Sequence, residues 1–338
     1  MTSKERIAAV ASGAVADRIP FAPTVFEHAA YLIGKMPSEV AVSSTLMAKA
    51  HIEAYKQYGH DVVTVGVDVY NVEAEALGCE VRFYDNISIP GIVTRPLSFK
   101  SDVESIIFSP DLGRIGMILD AASEVRAAIG DEVNVGIGIC GPFSILMELL
   151  GFEESIEALY DGDERVELFL EALLRFQEHY CSEIVGRGLG VTVFESWASP
   201  PLISPGMYKE FVLPYEKKLF AHLGEIGAVS KPLVIGGDTR DIVDSILDSG
   251  TTMLISDYNT PLPLYVQKAQ KCNALLRANI DPKLVQSGSW EQIQQRVVEI
   301  RKQAEVYPKL IAGTGVIPYD TPPENILRVK QMFMAEDY

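Results

Sequence analysis

Alternation of eight short β-rich runs with longer amphipathic stretches predicts an α/β fold, a (β/α)8 TIM barrel. Two further observations support it. Most of the β-rich runs are near-continuously apolar, as in parallel strands covered on both faces. A doubly wound open sheet would also need a phosphate-binding glycine turn after an early strand. Here Gly136-Ile137-Gly138 lies inside a strand instead.

The predicted strands are Ile19–Val25, Asp61–Val67, Val133–Ile139, Val191–Glu195, Lys231–Ile235, Thr252–Ser256, Ala274–Asn279 and Leu310–Gly313. Apolar residues at three- and four-residue spacing predict helices over Val40–Tyr58, Leu112–Ile129, Arg165–Gly186, Pro205–Ile226, Thr239–Ser249 and Trp290–Ala304. Start signals agree. Thr2-Ser3 offers hydroxyl caps, Ser204-Pro205 and Asp281-Pro282 place a cap before a proline, and Ser289-Trp290-Glu291-Gln292 reads as a capping box. Asp238 reads as the cap of a helix that begins there. Alternation fails near Phe83–Phe108, which predicts a small insertion after the second helix. No linker, low-complexity tract or repeat interrupts the chain, so residues 1–338 are expected to form a single domain.

Composition limits the partners. A net charge of −17 with no basic patch argues against nucleic acid. No apolar run approaches the roughly 20 residues that span a bilayer. The charged start Met1–Arg6 has no following apolar stretch, so no secretory signal is expected and a cytoplasmic location is. Cys79, Cys140, Cys181 and Cys272 lack CxxC spacing and suit a reducing compartment and buried apolar positions.

Parallel barrels hold their chemistry at the C-terminal ends of the strands. The polar residues there are Glu27 and His28, then Asp68, Tyr70, Asn71 and Glu73, then Glu195 with Trp197, then Asp238, Asp257 with Tyr258, and Asn279 with Asp281. Glu195 closes an apolar run, where a carboxyl's pKa would rise and suit general-acid work. His28 alone among five histidines falls at a predicted strand end. Glu195, His28 and Asp257 are the candidate catalytic groups. Tyr70, Asn71, Glu73, Trp197, Asp238, Tyr258 and Asn279 are candidate substrate contacts, and Phe26, Phe143 and Tyr319 candidate aromatic walls. Any metal would draw its ligands from Glu27, His28, Glu73, Glu195 and Asp257.

An ordered series of short motifs adds a family. Lys4-Glu5-Arg6 through Asp17-Arg18-Ile19-Pro20 opens it. Ala76-Leu77-Gly78-Cys79, Gly141-Pro142-Phe143-Ser144, Leu149-Leu150-Gly151 and Ile203-Ser204-Pro205 follow. Leu213–Leu219, Gly237-Asp238-Thr239, Ala278-Asn279-Ile280-Asp281-Pro282 and Asp320-Thr321-Pro322-Pro323-Glu324-Asn325-Ile326 complete it. The series resembles the uroporphyrinogen decarboxylase superfamily, in particular its corrinoid-dependent methyltransferase branch. The resemblance implies a (β/α)8 barrel, a corrinoid carried by a partner protein, and a small methylated substrate.

The departures from the family pattern narrow this. Members that activate a thiol bind zinc through a His-x-Cys pair and a later Cys. Those positions fall on Val234, Gly236 and, nearly, Gly315, none of which can ligate zinc. True decarboxylases hold the substrate's carboxylates with an early Arg-Gln-Ala-Gly-Arg-Tyr motif, whereas Phe21–Tyr31 has no arginine or lysine. The resemblance therefore implies a methyltransferase moving a methyl group from an O- or N-methyl donor to the cobalt of a partner corrinoid protein. The alternatives are a divergent decarboxylase or lyase, and a non-catalytic barrel that binds a corrinoid or tetrapyrrole. A non-thiolate zinc site and a homo-oligomer are left open. On this reading Glu195→Gln should abolish methyl transfer.

Overall fold

The computed structural model of the chain describes residues 1–334. Its strands are β1 (Phe21–Thr24), β2 (Val62–Val65), β3 (Glu80–Arg82), β4 (Gly91–Thr94), β5 (Asn134–Cys140), β6 (Gly190–Phe194), β7 (Leu233–Val234), β8 (Met253–Ser256), β9 (Leu275–Ile280) and β10 (Leu310–Val316). Eight of them pair in parallel, in the orders β1-β10-β9-β8 and β2-β5-β6-β7. Asp61 N–H donates to Phe21 O at 2.9 Å across the β1–β2 seam, and Thr252 N–H to Lys231 O at 3.1 Å across the β7–β8 seam. The eight strands thus form a (β/α)8 barrel, and each of the eight predicted runs overlaps one of them.

The insertion is present and begins slightly earlier than expected. β3 and β4 form an antiparallel hairpin after the helix Val69–Ala76, and an irregular arm leads from it to the helix Ile115–Ile129. Arg114 ties this excursion down. Its Nη1 and Nη2 donate to the two oxygens of Asp68, each at 2.8 Å, its Nε donates to Glu75, and its guanidinium covers the Phe83 ring.

Some helix limits differ from the expected ones, each for a local reason. Val40–Tyr58 breaks into Pro37–Ala41 and Ser44–Tyr58, because Ser43 Oγ accepts the Leu46 N–H and starts a new helix. Pro205–Ile226 contains a π-helical turn at Tyr208–Val212. Pro214 lies just beyond it and has no N–H to give to the previous turn, so the backbone changes register there. Thr239–Ser249 shortens to Val243–Asp248, and Asp238 pairs with Arg240 instead of capping it. Ser289 precedes its helix without a side-chain capping bond. The caps at Thr2, Ser204 and Asp281 form as expected. Cys272 is exposed, not buried, while the other three cysteines are buried.

Alternation along each strand divides the core in two. Leu276, Ala278 and Ile280 of β9 join the large core beneath the surrounding helices. Leu275 turns the other way and packs with Ala22, Met253, Ile311 and Val10, so the first helix, Ser3–Ser12, closes the N-terminal end of the barrel. The same end is held by Asp61, fully buried, which accepts Arg6 Nη1 at 2.6 Å, Arg18 Nη1 at 2.7 Å and the Phe21 N–H at 2.7 Å. Among the described residues no helix is long and apolar enough to cross a membrane.

Candidate active site

Strand parity decides which of the candidate residues reach the barrel interior. On β6, Val191 and Val193 join the outer core. Phe194 therefore points inward, where its ring meets Phe26 at 5.9 Å and Tyr70 at 6.4 Å. Gly138 on the neighbouring strand makes room for it, since a Cβ there would stand 2.8 Å from the Phe194 ring. Phe26, Phe194 and Tyr70 make one side of the upper interior apolar.

Glu195 follows Phe194 and so turns outward. Its Oε1 accepts the Ser144 N–H at 2.5 Å in the first turn of the helix Pro142–Leu150. That helix has Gly141 at its start and no side-chain cap of its own, so Glu195 takes the cap's place. Its other oxygen lies against Gly141, which has no space for a Cβ, and makes no hydrogen bond. Burial pushes the carboxyl up to about 7 against the pull of the Ser144 and Phe143 N–H groups. The expected rise in pKa is there, but the group sits in the barrel wall. The loss of transfer predicted for Glu195→Gln does not follow from this geometry.

A stability effect follows instead. The folded-state pKa lies above the unfolded one, so ionisation opposes folding. The penalty is absent below about pH 4.5 and complete above about pH 7. A shift of this size corresponds to about 3 kcal/mol. Glu195→Gln keeps the shape without the charge. It is expected to be more stable than the parent by about 2–3 kcal/mol at pH 8, with the difference vanishing near pH 4. Urea melts at the two pH values check this; a variant less stable than the parent at pH 8 would show that the ionised cap is the favoured form.

His28 is also corrected. It lies on the helix Phe26–Leu32, fully buried, with Tyr31 and Tyr58 stacked against it. Nδ1 donates to the Tyr319 carbonyl at 2.9 Å, which leaves Nε2 to accept the Tyr58 hydroxyl at 2.7 Å. Both nitrogens are occupied, and burial lowers the pKa and favours the neutral ring. Glu73 lies behind β5, where it accepts the Cys140 N–H at 2.8 Å and Gln177 Nε2 at 3.2 Å; burial raises its pKa to about 7. Asn71 donates to Pro90 O at 2.5 Å and so anchors the inserted hairpin. Trp197 stacks on Phe152 and donates to Glu148 Oε1 at 2.8 Å. Asp238 is turned to solvent and ion-paired with Arg240. These six residues hold the wall or the rim and do not converge on the interior.

Asp257, Tyr258, Asn279 and Tyr70 remain at or near the mouth. Asp257 is fixed by the backbone, its Oδ2 accepting Gly237 N–H at 2.7 Å and its Oδ1 Tyr258 N–H at 2.9 Å. The Tyr258 ring lies close to Gly315, at the end of β10. Tyr70 donates its hydroxyl to Ser196. Glu27, in the first turn after β1, is half-buried and has no ion-pair or hydrogen-bond partner among the described residues. Burial pushes its carboxyl up to about 7. The carboxyl is thus crowded yet still reached by solvent.

Arg277 is the interior residue that the reading of strand ends passed over. It stands in mid-strand on β9, between apolar neighbours, on the same face as Leu275 and Asn279. A lone cation inside the run Leu275-Leu276-Arg277-Ala278-Asn279 is the signal that could have revealed it.

The candidate metal ligands are not brought together. Glu73, Glu195 and His28 lie in the outer layer, and among the described residues no three His, Cys, Asp or Glu side chains form a group that could hold a metal ion. Val234, Gly236 and Gly315 offer no ligand atoms, so the residues present do not fit a thiolate-type zinc centre. A concavity of about 550 Å³ lies at the rim between Tyr258 and the helix Trp290–Val306, beside the mouth and outside the barrel.

A parallel barrel with carboxyl, amide and phenol groups at its strand ends has the architecture of a barrel enzyme. The chain belongs to the uroporphyrinogen decarboxylase (URO-D) family, whose model matches residues 2–334. It is 25% identical over 336 residues to a methylcobamide:CoM methyltransferase, MtbA, of Methanosarcina acetivorans, covering 97% of this chain and 96% of that one. It is 22% identical over 310 residues to a uroporphyrinogen decarboxylase of Corynebacterium diphtheriae, covering 85% and 84%. A solved methyltransferase from Methanosarcina mazei shares the fold, with a TM-score of 0.84 over 98% of both chains at 20% identity.

Proposed function

We propose that this chain is a corrinoid-dependent methyltransferase that works as one domain over residues 1–338 and takes a methyl group from a small O- or N-methyl donor to the cobalt of a partner corrinoid protein. The observation that carries this reading is an end-to-end likeness to a methylcobamide:CoM methyltransferase combined with Val234, Gly236 and Gly315 at the positions that would activate a thiol. Without a ligand set to stabilise a thiolate, the donor side of the reaction is the better fit. Decarboxylation of a tetrapyrrole with eight carboxylates fits poorly, because Phe21–Tyr31 carries no cation.

A reduced corrinoid on the partner protein would supply the electron pair that takes up the methyl carbon as that carbon's bond to oxygen or nitrogen breaks. The protein must hold the methyl group in line and supply a proton to an oxygen leaving group. We assign the proton to Glu27, in place of Glu195 and His28. Asp257, Tyr258 and Asn279 orient the donor, and Phe26, Phe194 and Tyr70 form the apolar wall.

The test is a panel of O- and N-methyl donors with a reduced corrinoid protein, followed by the cobalt absorption change. Methylation of cobalt by at least one donor is expected. Rapid methylation of coenzyme M from methylcobalamin, with no reaction from any donor, would overturn the assignment.

A further inference from the structure

Arg277 presents an unbalanced positive charge inside the barrel. Its Nε donates to Asn279 Oδ1 at 3.1 Å, and its Nη2 donates to Thr24 Oγ1 at 2.9 Å and to the Thr314 carbonyl at 2.8 Å. These bonds span three adjacent strands, β9, β10 and β1. The guanidinium passes over Gly313, where a Cβ would collide with Nε. The side chain is therefore held in one place by a glycine beneath it and acceptors on both sides.

All three acceptors are neutral. Among the described residues no carboxylate lies within ion-pair distance of Arg277, and Nη1 donates to none of them. Asp257 acts on Arg277 electrostatically from beyond ion-pair distance, and its two oxygens each accept an N–H, from Gly237 and Tyr258. Burial depresses its pKa to about 10 against the attraction of Asp257, and the half-buried side chain is still reached by solvent. A desolvated cation without a partner carries a cost that an incoming anion would offset. Elsewhere the upper interior is lined by the rings of Phe26, Phe194 and Tyr70.

We propose that Arg277 is the receptor for a carboxylate on the methyl donor. The donor would enter with its carboxylate down, against Nη1, and its methylated end up. β9 continues for three residues beyond Arg277, to Ile280. The guanidinium itself reaches the level of Asn279, Thr314 and Thr24, near the C-terminal ends of β9, β10 and β1, so a carboxylate bound to it would sit just inside the mouth. A donor such as a substituted benzoate would project its methylated end outward from there, beyond the mouth. There the corrinoid of the partner protein would meet its methyl group. The cation thus selects for donors whose charged and methylated ends are opposite one another. The identification of the bound molecule as a donor rests on the methyltransferase reading; the carboxylate site itself does not.

The experiment measures binding to the full chain and needs no turnover. The probes are benzoate and 4-methoxybenzoate, with 4-methoxybenzyl alcohol and inorganic phosphate as controls, each titrated by calorimetry and by thermal shift. Both carboxylates should bind the parent and raise its melting temperature, and the alcohol should bind far more weakly. Loss of one charge-assisted hydrogen bond should weaken binding about 10- to 100-fold in Arg277→Gln. Arg277→Lys should recover part of it, and circular dichroism shows whether each variant is folded. If Arg277→Gln fails to fold, the Arg277→Lys affinity and the carboxylate-to-alcohol preference of the parent decide the matter. No binding of either carboxylate to the parent, equal binding to folded Arg277→Gln, or a response to phosphate alone would overturn the proposal. Arg277-dependent carboxylate binding without methyl transfer from any donor would instead retain the site and discard the methyltransferase reading.

Discussion

Asp61→Ala is expected to destabilise the protein by about 3–5 kcal/mol, the usual cost of removing one member of a buried ion-pair network. Asp61 has no solvent exposure and receives two arginines and one backbone N–H. Its loss leaves Arg18 and the Phe21 N–H without this acceptor and Arg6 with its bonds to Asp17 and the Met1 carbonyl alone. The network joins the first helix, the start of β1 and the start of β2, so the damage falls where the barrel closes. It lies at the N-terminal end, away from the mouth, where barrels invest in stability rather than chemistry. Urea unfolding of parent and variant measures the difference, and the native fraction of the variant should keep its affinity for small ligands. A loss below about 1 kcal/mol would mean that the two arginines are satisfied by water once Asp61 is gone.

Glu27→Gln is expected to lower methyl transfer from an oxygen-bound methyl donor by about 10²–10⁴, the usual range for losing a general acid. Gln retains the size and polarity of Glu27 but has no proton to give. With its pKa raised to about 7 by burial, Glu27 is protonated below neutrality, so the parent's rate should fall as pH rises through about 7. The variant should lose that pH dependence. Near-parental rates in Glu27→Gln, with the same fall above neutrality, would assign the proton to another group. Binding of the donor should change little, which separates a role in chemistry from one in holding the substrate.

The contrast between Glu27 and Glu195 shows how far the one-dimensional pattern reaches. Both carboxyls are raised to about 7 by burial, and both stand at strand ends. For Glu195 the raised pKa could be read from the apolar run that it closes, whereas Glu27 stood out only as a polar residue at a strand end. What separates them is a half-turn of backbone. Phe194 takes the inward position on β6, so Glu195 goes outward and meets the N-terminus of the helix Pro142–Leu150. No local signal carries that choice, because Ser144 lies 51 residues away. His28 likewise depends on Tyr58 and on Tyr319, 291 residues distant.

The sequence by itself determined the eight strands, the parallel barrel, the inserted hairpin, the family and the missing thiol-zinc ligands. Each of these rests on local composition, hydrophobic period or residue identity, none of which needs a partner from afar. Only the tertiary structure decided which polar groups face the interior. Strand parity, fixed by closure of the barrel, turned Glu195 into the wall and Arg277 into the lumen. Burial of a charge becomes meaningful only when its neighbours are known. Glu195 has a helix terminus beside it, His28 has two hydrogen-bond partners, and Arg277 has neutral acceptors and an open side.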